Sequence, residues 1–491
     1  MANNGRRPNV IILILDTVRA RSVSAYGCPV KTTPNLDTFA ADNILFQHAF
    51  TTSTWTIPTH ASILSGLYLS QHRIESIKAD RLFHKSLVTM PEALRLSGYR
   101  TAAFSQNILF SPWHHMDAGF DEFYEVDTLL RAGRLTRGIQ KLSEASADKR
   151  PVYMLARYVR KVLAPRILLK ATREWLMATK ADAPIFLMVN ISNAHQPWAP
   201  PPDILLRHID FHPRYLLNGD FTSLDQWKFN SGRRKITDTH RSVWRSLYHA
   251  AIRHVDREVG WFLKQLRLWT GWDNTIVVIT ADHGEMLGEY RNIAGHTLSL
   301  HDNILRVPLV VRHPDHSSGL VVEQVVQTLD LYPSVLEWAA VPANLVPSAQ
   351  RQRPSLSTAI AAAEDKQGVA FAEEDYSDSY DVIEGLLGVN PDMDPHKYPR
   401  RQIAIRSATH KYIWYDDRPG EFYDLTQDPE EQHNLLQSEA VEDQAILKEL
   451  QRALESWRSN LEIFPPQIVD GKVEEMDATV IERLRALGYI A

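Results

Sequence analysis

Three short, nearly continuous apolar runs stand out along the chain, and polar side chains follow them. They cover residues 10–15, 185–190 and 275–280 and are rich in Ile and Val. A run of this length, without alternation of polar and apolar residues, is typical of a strand buried on both faces of a parallel sheet. The first run ends at Asp16, and the third leads into Asp282 and His283. We therefore predict polar groups at the carboxyl ends of buried strands.

Helical patterns lie between these runs. In the stretch 33–40, Thr33 can cap a helix and Pro34 suits its first position. The alternation of strand and helix predicts an α/β fold with a doubly wound, mostly parallel sheet, in which ligands bind at the carboxyl ends of the strands. Asp16, Asp282 and His283 fall where such a ligand site is expected.

A smaller unit is predicted after residue 340. Residues 401–425 alternate apolar and polar side chains, as expected of a small antiparallel sheet. We therefore divide the chain into an α/β catalytic domain, residues 1–340, and a C-terminal subdomain, residues 341–491, that carries this sheet and a terminal helix. Residues 373–394 contain eight acidic side chains and no Lys or Arg, which we interpret as a solvated surface loop.

One segment of the first domain is strongly basic. Residues 131–173 contain twelve Lys or Arg and two acidic residues, and their apolar positions fall at roughly helical spacing. We interpret this segment as a solvated helical insertion packed on the domain. The alternatives are a lid or surface that attracts an anionic substrate, and an amphipathic contact with acidic lipid.

Composition narrows the classes of function. The formal net charge of the 491 residues is −5, so nucleic-acid binding is not expected beyond a nucleotide-type substrate. The single cysteine, Cys28, cannot form an internal disulfide, which indicates a reducing compartment. No apolar run is long enough for a transmembrane segment or a signal-peptide core. We therefore expect a cytoplasmic protein, and a homo-oligomer stays open because no interface is identifiable.

Thr56 is the candidate nucleophile. Pro58 can begin a helix, which would place the Thr56 hydroxyl just before a helix N-terminus, where an anion is favoured. A threonine hydroxyl is a weak nucleophile and needs a base or a metal ion. Asp16, Asp282 and His283 offer carboxylate oxygens and one imidazole, a set that suits Mn²⁺, Mg²⁺, Ca²⁺ or Zn²⁺.

The stretch around Thr56 resembles the signature of the sulfatases, a branch of the alkaline phosphatase superfamily. In that signature Pro and Arg follow the nucleophile at two and four positions, and Ser or Thr and Gly follow at nine and ten. Here those places hold Pro58, His60, Ser65 and Gly66. Eight further stretches match in the family's order, namely 8–16, 33–37, 98–102, 195–197, 282–285, 306–309, 330–333 and 423–429. The resemblance covers residues 8–435 and implies an alkaline phosphatase/sulfatase-like fold.

The departures from the family pattern bear on the chemistry. Sulfatases convert a Cys or Ser into formylglycine, which cannot be made from Thr56, so the resemblance implies no formylglycine here. Superfamily members with an unmodified Thr act on phosphorus esters. Thr17 stands where sulfatases usually have a second carboxylate, and His283 where many have Asn. Phosphonate monoester hydrolases resemble this chain at both positions, around a manganese-like ion.

The resemblance also assigns site residues. Asp16, Thr56, Asp282 and His283 would bind one divalent metal ion, with Mn²⁺ as the first choice and Zn²⁺, Ca²⁺ or Mg²⁺ as alternatives. Thr56 would be both metal ligand and nucleophile.

Four further residues are candidates for catalysis or substrate binding. His60 replaces the signature's Arg and would orient the nucleophile, accept its proton or touch the anion. His195 matches a histidine that contacts the anion or the leaving oxygen, and His296 stands near the usual lysine of that role. Asn107 would donate to substrate oxygens. A second metal ion would need Asp256 with His195 and His296, but Asp256 is better explained as a capping or packing residue.

The leading hypothesis is a metal-dependent hydrolase of phosphodiesters or phosphonate monoesters that forms a covalent intermediate on Thr56. Its substrate would be a small anionic ester. The close alternative is a sulfate ester hydrolase that works without formylglycine. Two further alternatives are a phosphoryl-group transferase and a catalytically silent binding protein of the same fold, against which the retained Asp16, Thr56, Asp282 and His283 argue.

Overall fold

The computed structural model describes residues 6–132, 150–179, 182–209, 223–316, 319–376, 382–438 and 440–469. Its centre is one large sheet. The strands of this sheet are β1 (Asn9–Leu15), β2 (Ile44–Phe50), β4 (Arg100–Ser105), β5 (Glu122–Glu125), β6 (Ile185–Ile191), β7 (Thr275–Thr280), β10 (Leu309–Arg312) and β11 (Leu320–Gln327). Two short pairs lie outside it, β3 (Arg81–Leu82) with β16 (Gln467–Ile468), and β8 (Met286–Leu287) with β9 (Ala294–Gly295).

The large sheet has the strand order β11-β2-β10-β7-β1-β6-β4-β5. Neighbouring strands are parallel except at β10, which is antiparallel to both β7 and β2. The three apolar runs form β6, β1 and β7, which lie side by side and are almost wholly buried. The prediction of a mostly parallel sheet built on these runs is confirmed.

Helices cover both faces of the sheet. They are α1 (Pro34–Ala41), α2 (Thr56–Ser65), α3 (Leu69–His72), α4 (Met90–Leu96), α5 (Val126–Ala132), α6 (Arg150–Ala178), α7 (Pro202–His208), α8 (Ser223–Asn230), α9 (Asp238–Leu266), α10 (Asp302–Leu305), α11 (Leu331–Trp338), α12 (Leu356–Ala361), α13 (Val382–Val389) and α14 (Val441–Ser459). Alternate residues of β1 serve two separate cores, Ile11 and Leu13 towards α6 and α9, Val10 and Ile12 towards α2, α4 and α11. This two-sided burial explains why the run is continuously apolar.

The start of α1 differs from the prediction in one detail. The helix begins at the predicted proline, but the Thr33 hydroxyl donates to Asp37 instead of capping the backbone. The Asp256 carboxylate of α9 takes the capping role, accepting the backbone N–H groups of Asn35 and Leu36 at 3.1 and 2.9 Å. Asp256 is therefore engaged in joining two helices, as the sequence suggested.

A second, antiparallel sheet lies in the C-terminal part of the chain. Its order is β12 (Ala370–Asp375), β13 (Arg401–Arg406), β14 (His410–Tyr415), β15 (Glu421–Asp424), and α14 packs on it through Leu447 and Leu454. The three later strands are those predicted between 401 and 425. The fold class, a mostly parallel α/β sheet with a smaller antiparallel sheet, is confirmed. The domain boundary at residue 340 stays a prediction.

The acidic stretch 373–394 is a surface loop only in part. Glu373 and Glu374 are buried in β12, and α13 occupies residues 382–389, while residues 377–381 lie outside the described part. Residues 390–394 form a turn that exposes Asp392 and Asp394, as predicted. The prediction was wrong for β12 and α13, because a run of acidic residues normally marks a solvated segment. Here the carboxylates of Glu374 and Glu373 accept hydrogen bonds from the hydroxyl groups of Thr54 and Ser70, which compensates for their burial.

The basic insertion is described only in part, because residues 133–149 lie outside the described residues. Residues 131–132 end α5, and residues 150–173 belong to α6, which packs against α5 and α9 and buries Leu168 and Leu169. Within the described ranges, each helix is too short or too polar to cross a membrane. The cytoplasmic location stays a prediction.

Candidate active site

The carboxyl ends of β1 and β7 bring three predicted metal ligands together. The two strands are adjacent and parallel, so Asp16, which follows β1, lies beside Asp282 and His283, which follow β7. Each of the three side chains offers one ligand atom within 4.8 Å of the other two, and all three are buried. The topology of the sheet therefore creates a compact, ligand-rich cluster.

The atoms that face each other in this cluster have unmet bonding capacity. Asp16 Oδ1, Asp282 Oδ2 and His283 Nε2 are buried and have no hydrogen-bond partner among the described residues. His283 Nδ1 lies 3.0 Å from the Gly284 carbonyl oxygen. Since a carbonyl only accepts, the proton sits on Nδ1 and the lone pair of Nε2 points to the cluster. Buried carboxylate oxygens without a donor are costly, and a bound cation removes that cost.

The electrostatics of Asp16 agree with a cation site. Burial raises its pKa well above the ordinary value, and the neighbouring charge of Asp282 raises it further. A hydrogen bond from Asn107 and the charge of Lys161 act in the opposite direction but do not compensate. Because like charges repel at short range, the pair of carboxylates is poised to bind a positive ion. The residues present therefore fit a divalent metal ion.

Thr56 is the first residue of α2, which begins two residues earlier than predicted from Pro58. Asn107 Nδ2 lies 3.1 Å from Thr56 Oγ1 and donates to Asp16 Oδ2 at 2.5 Å. This amide group thus joins the candidate nucleophile to the metal cluster. The position in the first turn of α2 also gives Thr56 the positive end of the helix dipole, which favours a bound anion.

The loop before Thr56 is held by the edge of the second sheet. The Glu373 N–H donates to the Thr52 carbonyl oxygen at 2.9 Å, and Ser53 Oγ donates to the Glu373 carbonyl oxygen at 2.8 Å. Thr54 Oγ1 donates to Glu374 Oε1 at 2.7 Å. The acidic stretch that the sequence assigned to the surface therefore helps to position the nucleophile.

Thr17 occupies a strained position next to the cluster. Its φ is 62°, in the left-handed region that a β-branched residue rarely adopts. Its N–H donates to Asp282 Oδ1 at 3.2 Å, and its carbonyl oxygen accepts the Tyr248 hydroxyl at 2.5 Å. The residue that replaces the expected second carboxylate thus orients Asp282 through its backbone, and these contacts stabilise the strained conformation.

His60 contacts the backbone of Thr56 and not its hydroxyl group. Its Nδ1 is 2.8 Å from the Thr56 carbonyl oxygen, its Nε2 is 3.2 Å from Asn190 Nδ2, and its ring stacks on Phe110. Burial lowers its pKa, which keeps the ring neutral. With both nitrogens engaged, it has no lone pair for the Thr56 hydroxyl and no charge for an anion. Of the three predicted roles, only the orientation of Thr56 fits these contacts.

His195 and His296 lie together beside the cluster. Their ring centroids are 5.0 Å apart, and the His296 ring stacks on His283 at 4.5 Å. The His195 Nδ1 donates to the Gln196 carbonyl oxygen at 2.7 Å, which leaves Nε2 as the acceptor. Burial lowers the pKa of His195 to about 3 and that of His296 well below its ordinary value. Both rings are neutral, so they offer hydrogen bonds and not charge.

Three residues near the cluster were missed by the sequence reasoning. The Glu285 carboxylate is buried, its oxygens have no hydrogen-bond donor in the described ranges, and burial raises its pKa well above the ordinary value. Arg19 donates to the Glu285 carbonyl oxygen at 3.0 Å but pairs its charge with Glu289 at 2.7 Å. Lys161 of α6 donates to the His195 carbonyl oxygen. Glu285 stood in a quoted motif, whereas the only signal for Lys161 was the basic character of its helix.

The structure gives no support for a second metal site built on Asp256. Asp256 caps α1, and among the described residues the only group of three carboxylate, histidine or cysteine side chains that converges closely enough for an ion is Asp16, Asp282 and His283. Thr56, Asn107, His195 and His296 surround this one group, in agreement with a single-ion site.

The chain belongs to the Sulfatase family, whose profile matches residues 8–341. Residues 296–460 also match the C-terminal region of N-sulphoglucosamine sulphohydrolase. This membership confirms the predicted resemblance to the sulfatase and phosphonate monoester hydrolase branch of the alkaline phosphatase superfamily.

Individual relatives are distant. The uncharacterized sulfatase YidJ of Escherichia coli is 24% identical over 88% of this chain and 83% of its own length. The phosphonate monoester hydrolase of Agrobacterium radiobacter has a TM-score of 0.66 at 19% identity, covering 92% of this chain and 96% of that one. The structure of BT4656 with its substrate D-glucosamine-2-N,6-O-disulfate has the same TM-score and identity, covering 92% and 98%. At this identity the solved structures show the shared fold.

Proposed function

We propose that the protein is a metal-dependent hydrolase of phosphodiesters or phosphonate monoesters that acts through Thr56. The observation that carries the proposal is the placement of an unmodifiable threonine hydroxyl at a helix N-terminus, joined through Asn107 to a buried acidic cluster. The named relatives include both sulfatases and phosphonate monoester hydrolases. These relatives support sulfate and phosphonate esters equally. We favour phosphorus esters because the residue at the nucleophile position is an unmodified threonine.

Asp16, Asp282, His283 and the Thr56 hydroxyl would hold the divalent ion. When bound, the ion lowers the pKa of the hydroxyl and neutralises charge on a substrate oxygen. Two carboxylates, one imidazole and one hydroxyl form a donor set that suits Mn²⁺, which is therefore our first choice.

The protein's own residues account for the steps around this ion. Asn107 orients the Thr56 oxygen, which attacks phosphorus while the bond from phosphorus to the leaving oxygen breaks, and the Thr56 hydroxyl proton passes to that leaving oxygen so that a neutral alcohol departs. Water then attacks the same phosphorus, the bond from phosphorus to Thr56 Oγ1 breaks, and the proton that the water loses returns to Thr56 Oγ1 through His195. His195 Nε2 is an acceptor and takes the proton of that water, while His296 lies beside it to hydrogen-bond the leaving oxygen. His60 keeps the Thr56 backbone in place throughout.

The second candidate is a sulfate ester hydrolase that works without formylglycine. A sulfate ester is tetrahedral and anionic like a phosphonate ester, and the family profile and the YidJ relative favour it. The two candidates differ in substrate and share the same residues.

The proposal is tested by measuring, with Mn²⁺-loaded protein, the hydrolysis rates of three chromogenic substrates side by side. These are a nitrophenyl phosphodiester, a nitrophenyl phosphonate monoester and nitrophenyl sulfate. Thr56→Ala is expected to lower kcat at least about a thousand-fold, because it removes the atom that forms the covalent bond. Thr59→Ala is the matched control, since among the described residues the Thr59 hydroxyl bonds only to the Trp55 and Thr56 carbonyl oxygens.

Each outcome of this assay is informative. Faster turnover of the phosphorus esters by wild type and the Thr59 variant, with loss in the Thr56 variant, supports the proposal. A preference for the sulfate ester moves the assignment to the second candidate. Wild-type rates in Thr56→Ala contradict both candidates.

A further inference from the structure

The site is short of fixed positive charge on the side where a substrate anion would bind. His60 Nδ1 donates to the Thr56 carbonyl oxygen and Nε2 accepts from Asn190, as only a neutral ring can, and the guanidinium group of Arg19 is paired with Glu289. The family signature has Arg at the place of His60, so this chain lacks that cation. An ester monoanion placed next to Asp16 and Asp282 therefore needs another positive partner besides the metal ion.

Lys161 carries positive charge into this part of the molecule. It lies on α6, and its Nζ donates to the His195 carbonyl oxygen at 2.7 Å. Its own carbonyl oxygen accepts from Asn193 Nδ2 at 2.8 Å. Both ends of the residue are thus fixed to the loop that follows β6 and carries His195. These two hydrogen bonds fix the position of the ammonium group next to His195.

The charge of Lys161 reaches the acidic residues of the site. It lowers the pKa of the Asp16 carboxyl group and that of Glu285, both of which are otherwise raised by burial. Burial lowers the pKa of Lys161 to about 7, and Asp16 opposes this change. The geometry agrees: Lys161 bonds to His195, the His195 ring contacts His296, and the His296 ring stacks on the predicted metal ligand His283, so Lys161 lies one residue behind the side chains that surround the cluster.

The ammonium group also has bonding capacity to spare. It has three N–H donors, and one is used by the His195 carbonyl oxygen. In the described part of the chain no second protein acceptor lies within hydrogen-bond distance of Nζ. The residue as a whole is partly exposed, while its ammonium group lies against the loop that carries His195.

We infer that Lys161 is a substrate-binding residue, whose ammonium group, held by the His195 carbonyl oxygen, pairs with the negative oxygens of the tetrahedral anion at Thr56. This inference deepens the proposed function and rests on it for the identity of the ester. It also gives the basic insertion a role, because α6 supplies the positive charge that His60 does not.

Anion affinity tests the inference directly. Inorganic phosphate is titrated calorimetrically into the Mn²⁺-loaded full chain for wild type, Lys161→Met, Lys161→Arg and Lys170→Met. Lys170 lies on the same helix with its side chain 66% exposed, so its variant is a matched loss of one surface charge. Lys161→Met is expected to weaken phosphate binding roughly ten- to hundred-fold, the range for a hydrogen bond to a charged group. Lys161→Arg keeps most of the affinity, and Lys170→Met is unchanged.

A structural role for Lys161 predicts a different result. If Lys161 only held the loop that carries His195, Lys161→Met and Lys161→Arg would both lower the melting temperature of the phosphate-free protein, and affinity would not follow the charge. Equal phosphate affinity in wild type and Lys161→Met overturns the inference, as does a wild type that binds no phosphate.

The same samples separate this inference from the proposed function. If no ester is hydrolysed but phosphate affinity still falls in Lys161→Met alone, the hydrolase proposal fails and the anion site stands. If wild type hydrolyses esters through Thr56, and Lys161→Met has an unchanged KM and phosphate affinity, the inference fails alone.

Discussion

Two buried clusters of charge in this protein are built in opposite ways. In the first, Asp302 accepts hydrogen bonds from Lys411 at 2.9 Å and from Arg406 at 3.1 Å. Burial alone would raise the pKa of Asp302, but these two cations outweigh it, so the pKa lies below its ordinary value. In the second, Asp16 faces Asp282 and its pKa is raised by burial and by that like charge.

The two clusters differ in charge balance, and this distinguishes a structural ion-pair cluster from a candidate binding site. Around Asp302 the charges cancel within the protein, and the cluster joins α10 to the antiparallel sheet. Around Asp16 the carboxylates exceed the available cations, and atoms aimed into the cluster have no partner among the described residues. A fold keeps such an arrangement at a cost in stability, and perturbed groups of this kind concentrate at binding and catalytic sites.

The largest expected effect is at the balanced cluster. Asp302→Asn removes the carboxylate that Lys411 and Arg406 share, and only Lys411 keeps a second carboxylate partner, Glu431 at 2.8 Å, among the described residues. The substitution should lower the free energy of unfolding by about 3–5 kcal/mol. Urea denaturation of the metal-free protein measures this. Asp238→Asn, which removes an exposed ion pair with Arg241, is the control and should change little. If Asp302→Asn left the free energy of unfolding almost unchanged, the two clusters would not differ as described.

A smaller effect concerns a buried group that is satisfied only when neutral. His72 Nδ1 accepts the Ile74 N–H at 2.9 Å, and burial lowers its pKa to about 3. As the pH falls below about 6.5, His72 becomes protonated in the unfolded chain but stays neutral in the folded protein. The free energy of unfolding therefore falls by about 1.3 kcal/mol per pH unit. His72→Asn can keep the acceptor and removes the titration. The slope of unfolding free energy against pH, between 6.5 and 4, should flatten by this amount, and an unchanged slope would contradict it.

The smallest expected effect is at the acidic cluster. Asp16→Asn removes repulsion with Asp282, while the new amide oxygen can still accept from Asn107. In the metal-free protein the unfolding free energy should therefore change by less than about 1 kcal/mol or increase. The same urea series in the presence of a chelator measures it. A loss as large as that of Asp302→Asn would mean that Asp16 is a structural residue.

The sequence predicted the centre of the fold and the metal cluster for one physical reason. Strands buried on both faces must be continuously apolar, which identifies β1, β6 and β7, and parallel strands end at the same edge of a sheet. Asp16, Asp282 and His283 follow from their positions alone. Thr56 and Asn107 needed the family resemblance as well.

The remaining parts depend on tertiary contacts that leave no local pattern. The sequence could not show that Glu373 and Glu374 find hydroxyl donors and become part of a strand, or that His60 turns to its own helix backbone. Lys161 is one of twelve basic residues in its segment, and only the packing of α6 on the loop carrying His195 distinguishes it.

Titration of Mn²⁺ into metal-free protein, followed by calorimetry and by the melting temperature, tests the central claim most directly. Wild type should bind one equivalent, and free ion at a thousand times its Kd should stabilise the fold by about 4 kcal/mol. Asp282→Asn should lose most of this affinity, and Asp256→Asn should keep it because Asp256 caps α1 and pairs with Arg253, outside the metal cluster. A wild type that neither binds Mn²⁺, Zn²⁺, Ca²⁺ or Mg²⁺ nor gains stability from them would contradict the account.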